Sequence, residues 1–143
     1  MSVHFSSKSD LWSTPLDLFE KLNSIHNFTL DACAIPENAK CLDYFSPEQN
    51  GLKQQWTGVV WCNPPYGKEI KKWIEKGFNS ARNGVKVVML IPARTDTAYW
   101  HDFVMRGKIE FLRGRLKFGD AKDSAPFPSA IVIFEYEKNE PTN

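Results

Sequence analysis

The tetrapeptide Asn63-Pro64-Pro65-Tyr66 groups an amide, two rigid carbonyls and an aromatic ring within four residues. An exocyclic amine on an aromatic ring is a poor nucleophile because its lone pair is delocalised into the ring. If the Asn63 side-chain oxygen and the Pro64 carbonyl each accept one N–H of such an amine, its nitrogen is held closer to tetrahedral and the lone pair is freed. The tetrapeptide therefore indicates methylation of a planar amine such as that of adenine. The alternative is an ordinary turn, since Pro-Pro and Pro-Tyr-Gly sequences occur in many loops.

The two prolines and the tyrosine complete the candidate catalytic group. Each proline biases the residue before it away from helical geometry, and neither carries an N–H that would compete for a bound amine. The ring of Tyr66 can stack on a base, a contact worth about 1–3 kcal/mol in single-strand binders. We therefore predict a catalytic group of Asn63, Pro64, Pro65 and Tyr66.

The overall composition is that of an enzyme domain without a strong charge bias. The chain has 143 residues, which predicts one domain over 1–143 with flexible ends at 1–10 and 138–143. Its net charge is +1, so any affinity for nucleic acid must come from a local patch. The N-terminus has no apolar signal segment and no apolar run is long enough to span a membrane, which predicts a cytoplasmic location without a membrane partner.

The sequence also argues against a disulfide and against a metal site. Cys33, Cys41 and Cys62 are odd in number and form no CxxC pair, which indicates reduced thiols. The three histidines are scattered along the chain, so no metal is predicted.

Hydrophobic periodicity predicts alternating strands and helices. The predicted strands are 28–33, 41–45, 59–62, 85–91, 109–112 and 130–136. The predicted helices run from a Thr14 cap to about Ile25, from Lys68 to about Arg82, and from a Thr95 cap through Met105. The first of them is expected to bury Leu18, Leu22 and Ile25.

This alternation predicts an α/β fold with a parallel or mostly parallel sheet flanked by helices. The continuous apolar run from Val85 to Ile91 is typical of a central strand. Ligands of such sheets bind at the carboxyl ends of the strands, where Asp31 and Asn63 both fall.

Three segments carry a resemblance to a known family. Trp12-Ser13-Thr14-Pro15, Leu30-Asp31-Ala32-Cys33-Ala34 and the tetrapeptide resemble, in this order, the signature motifs of amino-methylating DNA adenine methyltransferases. More closely, residues 11–136 are similar to the small phage-type, or Dam-like, DNA N6-adenine methyltransferases. The matching segments include 38–41, 61–67, 91–97, 113–118 and 126–129.

The resemblance implies a compact Rossmann-like fold with an abbreviated, mostly parallel sheet. It also implies direct transfer of a methyl group from S-adenosylmethionine to the N6 amine of adenine in DNA. The methyl donor is activated by its own positive charge, so neither a covalent protein nucleophile nor a metal is required. The target adenine must be flipped out of the duplex, at a cost of a few kcal/mol.

Two departures from the general methyltransferase pattern bear on the cofactor. The segment Asp31-Ala32-Cys33-Ala34 has no glycine, although alanine and cysteine are small enough to let a cofactor approach the backbone. Only seven residues separate Cys33 from Cys41, whereas a parallel crossover needs about a dozen. We therefore expect either an abbreviated nucleotide half of the sheet or a Cys41 segment that is not a parallel neighbour.

The candidate cofactor residues follow from these motifs. They are Trp12, Thr14, Pro15, Asp31, Ala32, Cys33, Asp43 and Asn63. Asp31 can take the cationic amino group of the cofactor or cap the next turn. Asp43 can accept the ribose hydroxyls or be a solvated acid. Thr14 matches the motif for the methionine end of the cofactor, but it is also a plain helix cap, and both roles can hold together.

The candidate DNA-binding residues are basic and lie late in the chain. They are Arg94, Arg106, Lys108, Arg113, Arg115 and Lys117. In a strand, the alternating charges of 113–117 would all face one side and neutralise phosphates. The alternative is a solvated edge strand that its charges protect from aggregation. Phe118 and Phe127 are further candidates for stacking on the base.

Three other functions remain open at this point. The same tetrapeptide serves enzymes that methylate a glutamine side-chain amide or an RNA base. A catalytically inactive relative that only binds DNA would keep the same fold, as would a purely structural domain without affinity for either ligand.

Overall fold

The structure is a computed structural model that describes residues 13–119 and 121–136. The predicted flexible ends 1–10 and 138–143 lie outside these ranges. In chain order the elements are α1 (Leu16–His26), β1 (Leu30–Asp31), β2 (Val59–Cys62), α2 (Ile70–Arg82), β3 (Lys86–Pro92), α3 (Ala98–Asp102), β4 (Lys108–Phe111) and β5 (Ser129–Phe134). Two short 3₁₀ turns lie at Gly51–Lys53 and Val104–Arg106. Within the described ranges, no helix has the length and apolar character that crossing a membrane requires.

The five strands form one mixed sheet in the order β1-β2-β3-β5-β4. The pairs β1–β2 and β2–β3 are parallel, whereas β5 runs antiparallel to both β3 and β4. Over the described residues, four strands therefore share one direction and β5 is reversed. The predicted α/β class with a mostly parallel sheet is confirmed.

Strand β3 lies in the middle of the sheet, and both of its faces are covered. Six of its seven residues are buried, as expected for the continuous apolar run. Gly77 lets α2 pack closely on one face, since a Cβ there would lie 2.9 Å from Sδ of Met89. On the other face, Phe19 of α1 packs edge-on against Trp61, which pairs with Val88. Because neighbouring side chains of a strand alternate, α1 and α2 cover opposite faces.

The two ends of the sheet can be told apart by the direction of its strands. The carboxyl ends of β1, β2 and β3 lie at Asp31, Cys62 and Pro92. Register also brings the last residue of β4 and the first of β5 to this end, which we call the carboxyl end of the sheet. The beginning of β3, at Lys86, marks the opposite end. At roughly 3.3 Å per residue, β3 separates the two ends by about 20 Å.

The sheet is short on the side of β1. Tyr44 forms an isolated parallel bridge with Asp31. The Asp31 N–H donates to the Asp43 carbonyl, and the Phe45 N–H donates back to the Asp31 carbonyl. The segment predicted as a strand at 41–45 is thus a parallel neighbour reduced to one residue pair. The strand predicted at 28–33 likewise shortens to Leu30–Asp31.

Several local predictions are wrong. Thr14 does not cap α1, whose N-cap is Pro15, because the Thr14 hydroxyl contacts Asn63 instead. Thr95 does not cap α3 either, since a turn closed by the Thr97 hydroxyl on the Arg94 carbonyl delays the helix to Ala98.

The prediction for the buried face of α1 also needs correction. Ile25 was expected in the core but is 62% exposed. The covered stripe runs through Phe19 and Leu22 to the half-buried His26, at helical spacings of three and four. This stripe turns Ile25 toward solvent.

Candidate active site

A cleft opens at the carboxyl end of the sheet between β1 and β2. Its empty space, including the part that is open to solvent, is about 430 Å³. The lining residues are Ser13, Thr14, Asp31, Cys33, Ala34, Ile35, Asn38, Lys40, Pro47, Trp61 and Asn63. Residues of the three family-like segments, which are far apart in sequence, therefore meet in one concavity: Ser13 and Thr14, then Asp31, Cys33 and Ala34, then Asn63.

Asn63 leaves β2 at the wall of this cleft. Its side-chain nitrogen Nδ2 donates to the Thr14 hydroxyl at 3.0 Å. The next residue, Pro64, is fully buried, and Pro65 is half-buried. The amide of Asn63 is thus held by a residue from the segment before α1, while the prolines behind it are packed into the protein.

The side chain of Tyr66 is buried and does not line the cleft. Its hydroxyl donates to the Leu90 carbonyl at 3.0 Å, and its ring is only 6% exposed. The rings of Phe118 and Phe127 pack edge-on against it, with centroids 6.1 and 5.6 Å away. In this arrangement the ring is part of an aromatic cluster at the carboxyl end of the sheet.

The carboxylate of Asp31 closes the loop that follows β1. One oxygen accepts from the Cys33 N–H at 3.2 Å and the other from the Lys40 N–H at 3.0 Å. The side chain is only 2% exposed. Burial raises the pKa of Asp31 to about 6, and the two N–H groups and the Lys40 charge oppose this rise. The capping contact expected for Asp31 is therefore present, and the same carboxylate lines the cleft.

Ser13 and Thr14 join three separate segments around the cleft. The Ser13 hydroxyl accepts from the Asn38 amide at 3.4 Å, and its carbonyl accepts from the Gly119 N–H at 2.9 Å. Thr14 holds Asn63 as described above. Ser13, Asn38 and Lys40 were not among the candidate site residues. Segment 38–41 did belong to the family resemblance, and this was the available signal for Asn38 and Lys40.

Of the other candidate cofactor residues, Cys33 lines the cleft, whereas Ala32 and Pro15 do not. Ala32 is fully buried beside β2, and Cys33 lines the cleft. Burial raises the pKa of Cys33 to about 12, and the neighbouring Asp31 adds to the shift, so this thiol stays protonated. Pro15 caps α1, outside the lining of the cleft. Trp12 lies outside the described residues.

Asp43 lies away from the cleft. It is exposed and lines a separate depression with Thr29, Gln55 and Thr57, residues near the beginnings of β1 and β2. The Asp43 backbone pairs with Asp31, but its side chain is not part of the cleft lining.

A family model described as DNA N-6-adenine-methyltransferase (Dam) matches residues 2–142. The chain belongs to this family. A DNA N-6-adenine-methyltransferase of Haemophilus phage HP1 is 32% identical over 140 residues, which cover 90% of this chain and 80% of the phage protein. A DNA N-6-adenine-methyltransferase of Escherichia phage T1 is 35% identical over 94 residues, which cover 64% of this chain but only 39% of that protein.

The basic residues of this Dam family member fall into two places. The run 113–117 is a loop and not a strand that aligns its charges, because β4 ends at Phe111 and Gly114 has a φ of +75°. Arg113, Arg115 and Lys117 are exposed and follow β4 at the carboxyl end. Arg94 is also there, with its guanidinium 5.5 Å from the centre of the Phe127 ring.

Arg106 and Lys108 lie elsewhere. Arg106 precedes β4 and Lys108 is its first residue. Lys108 pairs with Ile133 near the opposite end of the sheet. Arg106 and Lys108 are therefore separated from the run 113–117, because β4 carries the chain from one end of the sheet to the other.

The three cysteines of this family member are all free thiols. Burial raises the pKa of Cys41 to about 11 and also raises that of the fully buried Cys62. Over 13–119 and 121–136, no group of three histidine, cysteine or acidic side chains could hold a metal ion.

Proposed function

We propose that this protein transfers the methyl group of S-adenosylmethionine to the N6 amine of adenine in DNA. Membership of the Dam family supports both the reaction and the substrate. The observation that carries the residue assignments is that the Asn63-Pro64-Pro65-Tyr66 turn leaves β2 at the wall of the cleft that Asp31 lines. The sheet order and the ligand cleft at the carboxyl end support a Rossmann-like methyltransferase fold over 1–143.

The cleft lining fits the chemical groups of this cofactor. The cofactor carries an ammonium group, hydroxyls, a carboxylate and a flat adenine. Asp31 supplies a buried carboxylate for the ammonium group. Ser13, Thr14 and Asn38 supply short polar groups. Ala34, Ile35, Pro47 and Trp61 supply apolar surface suited to a flat ring.

The bound cofactor supplies an electrophilic methyl group on a positively charged sulfur. The protein supplies orientation. Asn63 Oδ1 and the Pro64 carbonyl each accept one N–H of the target amine, which directs its lone pair toward the cofactor side of the cleft. The two prolines keep both acceptors in place. Positioning of this kind can provide about 7–11 kcal/mol of a barrier, so no covalent intermediate with the protein is needed.

The Dam family protein binds DNA, in our proposal, at the carboxyl end of the sheet. Arg94, Arg113, Arg115 and Lys117 contact phosphates around the flipped nucleotide. All four are exposed and lie at the same end as the tetrapeptide. Arg94 is favourably placed because it sits over Phe127, which packs against Tyr66.

Tyr66 contributes the aromatic surface for the flipped adenine. Because its ring is covered in the free protein, we propose that the segment between β4 and β5 moves to admit the base. This segment carries Phe118 and Phe127, contains no helix or strand over its described residues, and holds the basic loop. Binding of DNA phosphates to that loop would then be coupled to opening of the aromatic cluster.

Mass spectrometry of nucleosides tests the proposed function. The protein is incubated with methyl-labelled S-adenosylmethionine and, in separate reactions, unmodified duplex DNA, single-stranded DNA, RNA or protein. We expect labelled N6-methyldeoxyadenosine from DNA only. Label in RNA, or in a glutamine of protein, would show that the substrate is one of these alternatives and not DNA. Cofactor binding without any labelled product would indicate a catalytically inactive relative.

A further inference from the structure

A second concave surface lies at the opposite end of the sheet from the active site. It has about 980 Å³ of empty space open to solvent. It is lined by Phe78, Ala81, Arg82, Arg106, Gly107, Lys108, Ile133, Phe134, Glu135 and Tyr136. We call it the distal groove. It brings the end of α2, the beginning of β4 and the end of β5 together.

Two arginines of the distal groove share one aromatic platform. The guanidinium carbons of Arg82 and Arg106 lie 5.7 and 5.5 Å from the centre of the Phe78 ring. Phe78 is fixed in turn by ring contacts with Phe103 at 5.5 Å and Phe134 at 5.8 Å. Cation–π attraction favours positions of these long side chains beside the ring. Both guanidinium groups therefore rest against the same ring in the lining of the groove.

The charge of the distal groove is not balanced within the described protein. Over residues 13–119 and 121–136, the ion pairs are Lys71–Asp102 and Lys72–Glu69, and neither involves a groove residue. Among the described residues that line the groove, the one acid is Glu135, against Arg82, Arg106 and Lys108. A surplus of two positive charges thus lies in one concavity of a chain whose whole net charge is +1.

The backbone beside these cations is closely packed. A Cβ at Gly107 would lie 2.8 Å from the Ile133 carbonyl and 2.8 Å from a methyl group of Val132. Position 107 therefore has room only for glycine. This close approach fixes the chain that carries Arg106 and Lys108 against β5.

We propose that the distal groove binds the phosphodiester backbone of a second DNA segment, distinct from the one being methylated. Arginine pairs are suited to phosphate because each guanidinium can donate two parallel hydrogen bonds. The groove lies at the opposite end of the strands, about 20 Å from the carboxyl end, so we assign it to a DNA segment other than the one at the active site. This inference rests on the proposed function for the nature of the anion.

A binding titration tests the inference with the full chain. The probe is an unmethylated duplex of one helical turn, and the stoichiometry is measured by sedimentation. We expect the parent protein to bind two duplexes and the double variant Arg82→Gln/Arg106→Gln to bind one. The matched control, Lys21→Gln/Lys53→Gln, removes the same charge from exposed lysines outside the groove and should still bind two.

Methylation separates this inference from the proposed function. The groove variant should keep the parent kcat on the short duplex, because the groove is remote from Asn63. For binding to long DNA, the slope of log affinity against log salt concentration should become shallower by up to about 1.8, at about 0.9 per phosphate contact. A parent protein that binds one duplex, or a groove variant that still binds two, would overturn the inference. Absence of methylation with intact binding of two duplexes would reject only the proposed function.

Discussion

The amide nitrogen of Asn63 donates to the hydroxyl of Thr14 at 3.0 Å, across 49 positions of the sequence. This contact joins the segment before α1 to the turn after β2. It gives Thr14 a role that differs from the predicted helix cap. With Nδ2 directed to Thr14, the Asn63 oxygen lies at the other end of the amide, where the proposed mechanism needs an acceptor.

Replacing Thr14 should lower turnover through Asn63. In Thr14→Val the shape is kept but the acceptor is lost, so the amide is no longer held in one orientation. A hydrogen bond of this kind is worth about 1 kcal/mol, and we expect kcat to fall about 5- to 10-fold. Thr14→Ser keeps the hydroxyl and should stay near the parent rate. Equal kcat values for the two variants at saturating cofactor would show that the contact has no part in catalysis.

The two functions of Tyr66 can be separated by paired variants. Tyr66→Phe removes the hydrogen bond to the Leu90 carbonyl, so we expect about 1 kcal/mol less stability and nearly unchanged kcat. Tyr66→Ala also removes the ring, which should cost about 3–5 kcal/mol and most of the turnover. Denaturant unfolding and a methylation assay on folded protein provide the two readouts. A Tyr66→Phe variant as inactive as Tyr66→Ala would assign the function to the hydroxyl instead.

Asp31 should make stability depend on pH. Burial raises its pKa in the folded protein to about 6 from an ordinary 3.8, so the folded state holds the proton more tightly than the unfolded state. The free energy of unfolding should therefore fall by about 3 kcal/mol as the pH rises from about 4 to about 6, and no further above that. Asp31→Asn should lose this slope, as measured by denaturant unfolding at a series of pH values.

The same group should govern cofactor affinity. A cationic amino group beside Asp31 favours the ionised carboxylate, so the affinity of the parent should weaken as the pH falls below about 6. Calorimetric titration with the cofactor would measure this. If Asp31→Asn keeps the pH dependence of unfolding seen in the parent, Asp31 does not cause that dependence. If it keeps the parent's pH dependence of cofactor affinity, Asp31 does not bind the amino group of the cofactor.

Salt dependence should distinguish the basic loop from ordinary surface charge. Arg113→Gln/Arg115→Gln removes two proposed phosphate contacts at the carboxyl end, and the salt slope of short-duplex binding should drop by about 1.8. The control Lys21→Gln/Lys53→Gln should leave the slope unchanged. If both double variants behave alike, the loop has no specific role in DNA binding.

Elements with strong local signals were predictable from the sequence. The run Val59–Cys62, the turn and the amphipathic helix after it required no distant information, because apolar periodicity and the prolines specify them. The strand at Lys86–Pro92 was predictable for the same reason.

Features that depend on distant contacts were not predictable. The role of Thr14 depends on Asn63, which is remote in sequence. The separation of Lys108 from Arg113 depends on the direction of β4, which is set by its pairing with β5. The burial of Tyr66 depends on Phe118 and Phe127, which lie in a segment without periodicity.

The most direct test of the central claim compares Asn63→Ala with the parent protein in two assays. Calorimetry measures cofactor affinity, and mass spectrometry measures N6-methyldeoxyadenosine formed in unmodified DNA. If the turn after β2 orients the target amine beside a cofactor in the Asp31 cleft, the variant should bind the cofactor within a few-fold of the parent and form almost no product. An Asn63→Ala protein that methylates DNA at close to the parent rate would contradict the account.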